Sequence, residues 1–219
     1  MGERSGSAKR GAREYSAKKF VACVVGFLLV GAGAWFALTT GLERLPSKVC
    51  DGAVERDLVI RTLPRTRTAE EGSKRRHEGA DLRFSCHVYT SADSILSGAA
   101  RVDDASPQAW LSHYGGSADR RTVRVSSDGI EALAEVDGDR GSSSVYVPCV
   151  PRGVRAGDAD QTYAVVAEAN VVGKTRVSGM ALGQALTDFA YRLAEHAYQL
   201  AECENPRDFP EELPRYGSR

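Results

Sequence analysis

A stretch of 23 residues without a charged side chain, residues 20–42, constrains this chain more than any other feature. It is rich in valine, leucine, phenylalanine and alanine, and its apolar character continues through Trp35 to Leu38. An α-helix rises about 1.5 Å per residue, so a helix of this length would cross a hydrocarbon core of about 30 Å. The sequence therefore predicts a transmembrane helix over residues 20–42, in contact with a lipid bilayer.

The charges before this stretch predict its orientation. Residues 1–19 carry six basic and two acidic side chains, a net charge of +4, and have no apolar periodicity. Positive charge beside a span is retained in the cytoplasm, so we expect a disordered basic cytoplasmic tail and an extracytoplasmic C-terminal part. The prediction is a single-pass signal-anchor protein of the cell membrane. A signal peptide cleaved after Ala34 is the alternative, which the apolar run beyond that residue disfavours.

Small residues recur at every fourth position along one side of the predicted span, at Gly33, Ala37 and Gly41. This spacing lets two membrane helices approach closely, so it permits a homodimer through that face. Glycine and alanine are also common in membrane helices in general. The pattern leaves both interpretations open.

Residues 43–205 are predicted to form one extracytoplasmic α+β domain. A period of two predicts strands over residues 82–89, 95–102, 122–126, 130–136 and 145–149, and the almost continuously apolar residues 163–172 predict a central strand. Short helices are expected over residues 51–63 and 107–114, with the charged residues 65–81 as a solvated loop. The fold class is therefore an antiparallel-rich sheet packed with helices.

The longest helix of this domain is predicted near the C-terminus, from residue 180 to about 203. Leu182, Leu186, Phe189 and Leu193 follow a period of 3.6 residues, which is typical of an amphipathic helix packed on a core. Residues 206–219 are expected to form a loose tail. The order of elements is also compatible with a repeat of two halves, about 50–114 and 130–203.

Four cysteines, Cys50, Cys86, Cys149 and Cys203, fall in the predicted outer domain. Outside the cytoplasm such cysteines pair as disulfides, and four allow three connectivities. We favour the local pairs Cys50–Cys86 and Cys149–Cys203. No two of them have the spacing of a metal site or a redox motif.

No motif points to catalysis, a cofactor or a metal. The four histidines, His77, His87, His113 and His196, are far apart, and residues 141–144, Gly-Ser-Ser-Ser, are read as a turn. There is no phosphate loop, no dinucleotide fingerprint and no nucleophile elbow. The outer part, with 23 basic and 27 acidic residues, lacks the basic excess of a nucleic-acid binder.

Three short runs carry a resemblance: LPSKVCDGA at residues 45–53, VYVPC at 145–149, and LTDFA at 186–190 leading to Cys203. Together with the basic tail and the span, they resemble uncharacterised actinobacterial single-pass membrane proteins with a cysteine-braced outer domain. The chain is also similar to actinobacterial envelope lipoproteins with an α/β/α-type sandwich, but it lacks their lipidated cysteine. The resemblance implies no activity and assigns no functional residue.

These observations favour a membrane-anchored, non-enzymatic protein whose outer domain binds a protein or another ligand of the cell envelope. Two alternatives are a subunit that assembles into a membrane complex through its transmembrane helix, and a cell-envelope hydrolase.

Overall fold

The computed structural model describes residues 17–115, 121–137, 141–152, 162–204 and 206–217. The chain divides into two units, residues 1–37 and residues 38–219. Most of the predicted basic tail, residues 1–16, lies outside the described residues. The first unit contains all but the last two residues of helix α1, Ala17–Thr39, whose large apolar side chains are exposed wherever they are described. Among the described residues, no helix meets both the length and the hydropathy that crossing a membrane requires.

The second unit is built on a seven-stranded sheet in which every neighbouring pair is antiparallel, with the order β3-β4-β5-β9-β8-β7-β6. This confirms the predicted α+β class. The strands are β3, Ala69–Arg76; β4, Arg83–Thr90; β5, Ile95–Asp104; β6, Thr122–Ser127; β7, Ile130–Glu135; β8, Ser142–Pro148; and β9, Tyr163–Val172. A separate pair, β1, Lys48–Val49, and β2, Val54–Glu55, precedes helix α2, Arg56–Thr62.

The alternation along each strand decides which face is buried. On β4, Phe84, Cys86 and Val88 are buried, while the intervening side chains are exposed or half-buried. Helix α4, Gly179–Leu200, lies on the buried face, and its stripe of Leu182, Leu186, Phe189 and Leu193 is fully buried. It is the longest helix packed on the sheet, as predicted. We call the other side of the sheet the open face.

Helix α4 packs close to the sheet because β5 carries a glycine beneath it. A Cβ at Gly98 would stand 2.5 Å from Leu193 Cδ1 and 2.8 Å from the carbonyl oxygen of Glu168. Contacts this short do not occur in folded proteins, so only glycine fits here.

The prediction of a solvated loop over residues 65–81 was wrong. Eight of these residues form β3, which pairs with β4 along its whole length at the edge of the sheet. The strand has no buried residue, so it lacks the hydrophobic alternation by which strands are recognised in a sequence. Backbone hydrogen bonds to β4 hold it, and its charges are typical of an edge strand protected from further pairing.

The chain beyond α1 already belongs to the second unit. Gly41 donates its backbone N–H to the carbonyl oxygen of Thr66 at 2.8 Å, and Leu42 is buried in the core. A Cβ at Gly41 would lie 2.7 Å from backbone atoms of residues 66–68. Gly41 therefore serves a contact within the unit, in place of the helix–helix face that its spacing from Gly33 predicts.

Two disulfides brace the second unit, with Cα–Cα distances of 5.4 Å in both. Cys50 pairs with Cys86 on β4, and Cys149, just after β8, pairs with Cys203, just after α4. These are the pairs favoured from the sequence. Cys23 on α1 is free and exposed.

The sequence predicts a loose tail after residue 205, but the described part of this segment is packed. Leu213 and Tyr216 are buried, and Tyr191 on α4 donates a hydrogen bond of 2.5 Å to the carbonyl oxygen of Pro210. The Tyr216 hydroxyl joins a buried network with Thr187 and Ser143. Residues 206–217 have no helix or strand, which is why a sequence pattern alone suggested a tail.

Strands β3–β5 and β7–β9 are arranged symmetrically about the central β5–β9 pair, as a repeat of two halves would be. The helices that follow them differ, because α3, Pro107–Tyr114, packs on the open face and α4 on the buried face. A two-fold axis perpendicular to the sheet would keep both helices on one face. The strand order therefore has the symmetry of a two-half repeat, but the two helices do not follow it.

Candidate functional site

Helix α3 covers only part of the open face. It begins at Pro107. The preceding residue, Ser106, caps it, because its hydroxyl accepts a hydrogen bond from the backbone N–H of Ala109 at 3.2 Å. Its Trp110 is buried against Tyr146 and Leu133, and the indole Nε1–H donates to the Ser144 hydroxyl at 2.8 Å. None of the described residues covers the sheet beside α3.

This uncovered area is a groove of about 680 Å³. We call it the sheet groove. Its polar lining comes mainly from open-face positions on β5, β8 and β9 and from the end of α3: Ser97, Ser112, His113, Tyr114, Thr122, Glu135, Ser142, Ser144, Glu168 and Asn170. A volume of this size lies within the range of small-molecule sites.

One wall of the groove is fixed by a three-way contact among Arg101, Tyr114 and Glu168. Arg101 Nη1 donates to Glu168 Oε1 at 2.6 Å, and Arg101 Nη2 donates to the Tyr114 hydroxyl at 3.0 Å. Tyr114 in turn donates to the same Glu168 oxygen at 2.5 Å. Arg101 Nε also donates to Asp103, so the guanidinium is held on three sides. The contact joins β5, β9 and α3.

The protonation states of this cluster are fixed by its contacts. Burial and the hydrogen bond to Glu168 raise the pKa of Tyr114 to about 12. Burial alone would raise the pKa of Glu168, but hydrogen bonds from Tyr114 and Arg101 outweigh it and lower that pKa below the ordinary value. Burial likewise acts against the charge of Arg101, yet its hydrogen bonds hold the pKa of Arg101 above its ordinary range. At neutral pH the cluster therefore contains an arginine cation, a carboxylate and a neutral phenol.

Two neutral polar groups lie on other parts of the groove. Ser97 on β5 donates a hydrogen bond to the side-chain oxygen of Asn170 on β9. The hydroxyl oxygen of Thr122, at the start of β6, is inaccessible to solvent and has no hydrogen-bond partner among the described residues. A buried hydroxyl without a partner carries a free-energy cost of about 1–3 kcal/mol, which a polar group bound in the groove would relieve once the Thr122 side chain turns its hydroxyl toward that group.

The described side chains contain no arrangement for nucleophilic or metal chemistry. The Ser144 hydroxyl accepts from Trp110, and Ser143 points to the other face, where it contacts Thr187 at 2.7 Å. None of the described hydrogen bonds joins a serine of the groove to a histidine. Over the same residues, no group of three histidine, cysteine, aspartate or glutamate side chains could hold a metal ion.

The structure places the cysteines and three of the four histidines singled out from the sequence away from this groove, whereas His113, Ser142 and Ser144 line it. The four paired cysteines face the buried side or the ends of strands, and His77, His87 and His196 do not line it. His113 does, with its ring 4.6 Å from that of Tyr114. Residues Ser142–Ser144, read as part of a turn, begin β8.

Sequence reasoning missed the groove because its residues come from distant strands. Glu168 and Asn170 give the one signal, since they are polar side chains inside a central strand that is otherwise mostly apolar. Arg101, the partner of Glu168, lies 67 residues away, and only the strand order β5-β9 brings the two together.

Comparisons of the chain with protein-family models, with curated proteins and with solved structures found no match. The functional argument therefore depends on the residues of this chain alone.

Proposed function

We propose that this chain is a membrane-anchored extracytoplasmic protein whose outer domain binds, without catalysis, a neutral cell-envelope ligand rich in hydroxyl and amide groups. The sheet groove is the binding site. The observation that carries the proposal is the buried Thr122 hydroxyl, which lines the groove and lacks a hydrogen-bond partner among the described residues.

The anchoring part of the proposal is supported by the sequence of α1. Residues 20–42 contain no charge, and the large apolar side chains described between Phe20 and Trp35 are exposed to solvent. Exposed apolar side chains over so long a stretch are costly in water and indicate contact with lipid or with another protein. The +4 charge of residues 1–19 supports an N-terminus in the cytoplasm.

The chemistry of the groove supports a neutral polar ligand. Arg101 neutralises Glu168, which leaves that carboxylate few free lone pairs for a cation. Apart from the Glu135 carboxylate, the remaining polar lining consists mainly of hydroxyl groups and the Asn170 amide, which pair well with sugar hydroxyls and with N-acetyl or peptide amides. The Tyr114 and His113 rings at one wall provide an apolar surface beside these polar groups.

The pKa shifts favour binding over catalysis. A general acid or base works best with a pKa near the working pH. The pKa of Glu168 is lowered and that of Tyr114 is raised to about 12, so both move away from neutrality. An envelope hydrolase remains the alternative function, and nothing in the groove favours it.

The test is a titration of the full-length chain, held in zwitterionic nanodiscs, with the trimer of N-acetylglucosamine as a probe that carries both hydroxyl and amide groups. We expect saturable binding. Thr122→Val keeps the side-chain shape but removes the hydroxyl, and should weaken binding about tenfold, the equivalent of one lost hydrogen bond of about 1.4 kcal/mol.

Thr122→Ser, which restores the hydroxyl, is the matched control and should bind within about twofold of the parent chain. Thr122→Val should not lower the thermal stability, because the hydroxyl has no described partner to lose. Equal binding by the valine and serine variants, or no saturable binding by a folded parent chain, would contradict the proposal.

A further inference from the structure

Three arginines occupy directly facing positions on three neighbouring strands at one corner of the open face. Arg76 on β3 faces Arg83 on β4, and Arg83 faces Arg101 on β5. We call them the arginine row. Directly facing residues have Cβ atoms about 4.5–5.5 Å apart and project to the same side, and like charges in this relation destabilise a sheet. A bound anion would offset this repulsion between the arginines.

The row encloses a hollow of about 250 Å³, distinct from the sheet groove. Besides the arginines, Lys74 and Ser85 line it, and these two form the next directly facing pair on the same face of the sheet. None of the described carboxylates lines the hollow. The chain therefore gathers four cationic side chains around one concave surface.

The three outer cations are not used within the fold. Within the described part of the chain, Lys74, Arg76 and Arg83 form no ion pair, and all three are exposed. Arg101 differs, since its guanidinium is bound to Glu168, Asp103 and Tyr114. Arg101 therefore forms a rigid inner end to the row, and Arg76, Arg83 and Lys74 remain available to a ligand.

We propose that the arginine row binds a soluble ligand through a diphosphate group. The planar guanidinium presents paired donors that match phosphoryl oxygens two at a time, and ammonium groups add point charge. Three available positive charges favour a multiply charged anion over a single carboxylate. Two linked phosphoryl groups can bridge neighbouring arginines, whose strands are about 4.8 Å apart. A concave hollow admits such a group, whereas a planar membrane surface does not enter it.

This second site does not depend on the sheet groove, because its ligand-binding side chains are different. Of the lining of the groove, only Ala99 also lines the hollow. The two sites share one support, since Arg101 anchors Glu168 and Tyr114 on the wall of the groove. A ligand at the row and a ligand in the groove can thus be tested separately.

The experiment titrates the full-length chain, in zwitterionic nanodiscs at low salt, with inorganic pyrophosphate and in parallel with citrate. Citrate has similar charge but presents carboxylates. We expect saturable pyrophosphate binding that is at least tenfold tighter than citrate binding. The double variant Arg76→Gln, Arg83→Gln should weaken pyrophosphate binding at least tenfold.

The matched control is Arg65→Gln, Arg67→Gln, which removes the same charge from two exposed arginines outside the row. It should bind pyrophosphate within about twofold of the parent chain, and so should Thr122→Val. A loss in Thr122→Val but not in the row variant would place pyrophosphate in the groove and overturn the proposal.

Three further results would overturn it. Equal binding of citrate and pyrophosphate would mean that charge alone is recognised. Equal losses of pyrophosphate binding in the row variant and in its control would mean that the overall positive charge attracts pyrophosphate and the arginine row does not. Binding to separate vesicles that contain anionic phospholipid, with no binding of pyrophosphate, would identify the row as a membrane contact.

Discussion

At the scale of single residues, several polar side chains are placed by contacts from elements distant in sequence. Tyr114 on α3 links two strands, because its hydroxyl accepts a hydrogen bond from Arg101 on β5 and donates one to Glu168 on β9. Gly98 fits beneath α4 because it has no Cβ. His196 on α4 differs from these residues, because its Nε2 atom is buried without a described hydrogen-bond partner.

His196 is expected to make the fold sensitive to acid. Its Nε2 atom is buried without a described partner, and its ring packs edge-on against Phe84 at 4.9 Å. Burial lowers the pKa of His196, an effect that nearby Arg75 strengthens and the carboxylates of Asp51 and Glu195 oppose. The neutral imidazole is therefore the form that the fold favours.

The direction of the pH dependence follows from that shift. A histidine with a lowered pKa in the folded state gives its full stabilisation above its unfolded value of 6.5. Below that value the unfolded chain binds the proton first, so the free energy of unfolding falls as pH falls toward the folded pKa. We expect urea unfolding between about pH 7.5 and about pH 5 to show this fall, and His196→Leu to reduce its slope.

The exposed His77 provides the control, and His77→Gln should leave the slope unchanged. An identical slope in His196→Leu and the parent chain would show that His196 does not cause the acid sensitivity.

At the scale of elements, the long helix α4 and the sheet depend on each other. The helix buries one apolar stripe along β5, β7, β8 and β9, and its last turn is tied to the end of β8 by Cys149–Cys203. The other disulfide, Cys50–Cys86, ties the segment before α2 to β4. Each connects elements that no continuous hydrogen-bonded ladder joins.

Removal of either disulfide is expected to cost about 4 kcal/mol in the chain-entropy model. The sequence separations are 36 and 54 residues, and loop entropy depends only logarithmically on length. The double alanine variants Cys50→Ala, Cys86→Ala and Cys149→Ala, Cys203→Ala should therefore lose similar free energies of unfolding, within about 0.5 kcal/mol of each other.

Denaturant unfolding of the full-length chain measures both losses. Cys23→Ala is the control, because Cys23 is free, and it should leave the unfolding of the second unit unchanged. A loss below about 1 kcal/mol for either pair would show that the folded elements hold together without that disulfide.

At the scale of the whole molecule, the proposed topology makes a prediction about cysteine chemistry. In cells that carry the native protein, Cys50, Cys86, Cys149 and Cys203 should resist alkylation until a reductant is added, because disulfides persist only in an oxidising compartment. Peptide mapping should recover the two pairs, and the protein should sediment with membranes and resist extraction at alkaline pH.

One control makes this result specific. A chain that lacks residues 1–37, which keeps the whole second unit, and is retained in the cytoplasm should be alkylated at all four positions without reductant. Free alkylation of the same four cysteines in the native protein would contradict the proposed orientation and the envelope ligand that depends on it.

Local patterns in the sequence determined most of the elements. The period of two in residues 82–88 and the period of 3.6 from Leu182 to Leu193 are properties of neighbouring residues, so both elements could be predicted. The apolar residues of β9 likewise predicted a central strand, and the even number of outer cysteines predicted two disulfides. Each of these inferences needs only short-range sequence information.

The order of the strands brings together the residues of both proposed binding sites, the sheet groove and the arginine row. Only the tertiary structure contains that order. Strand β3 has no buried side chain and is held by backbone pairing with β4, so its sequence resembles a loop. The contact between Arg101 and Glu168 depends on β5 lying beside β9, and the arginine row depends on the register of β3, β4 and β5. Periodicity describes which face of an element is buried, but side chains from separate strands meet only where the backbone ladder places them.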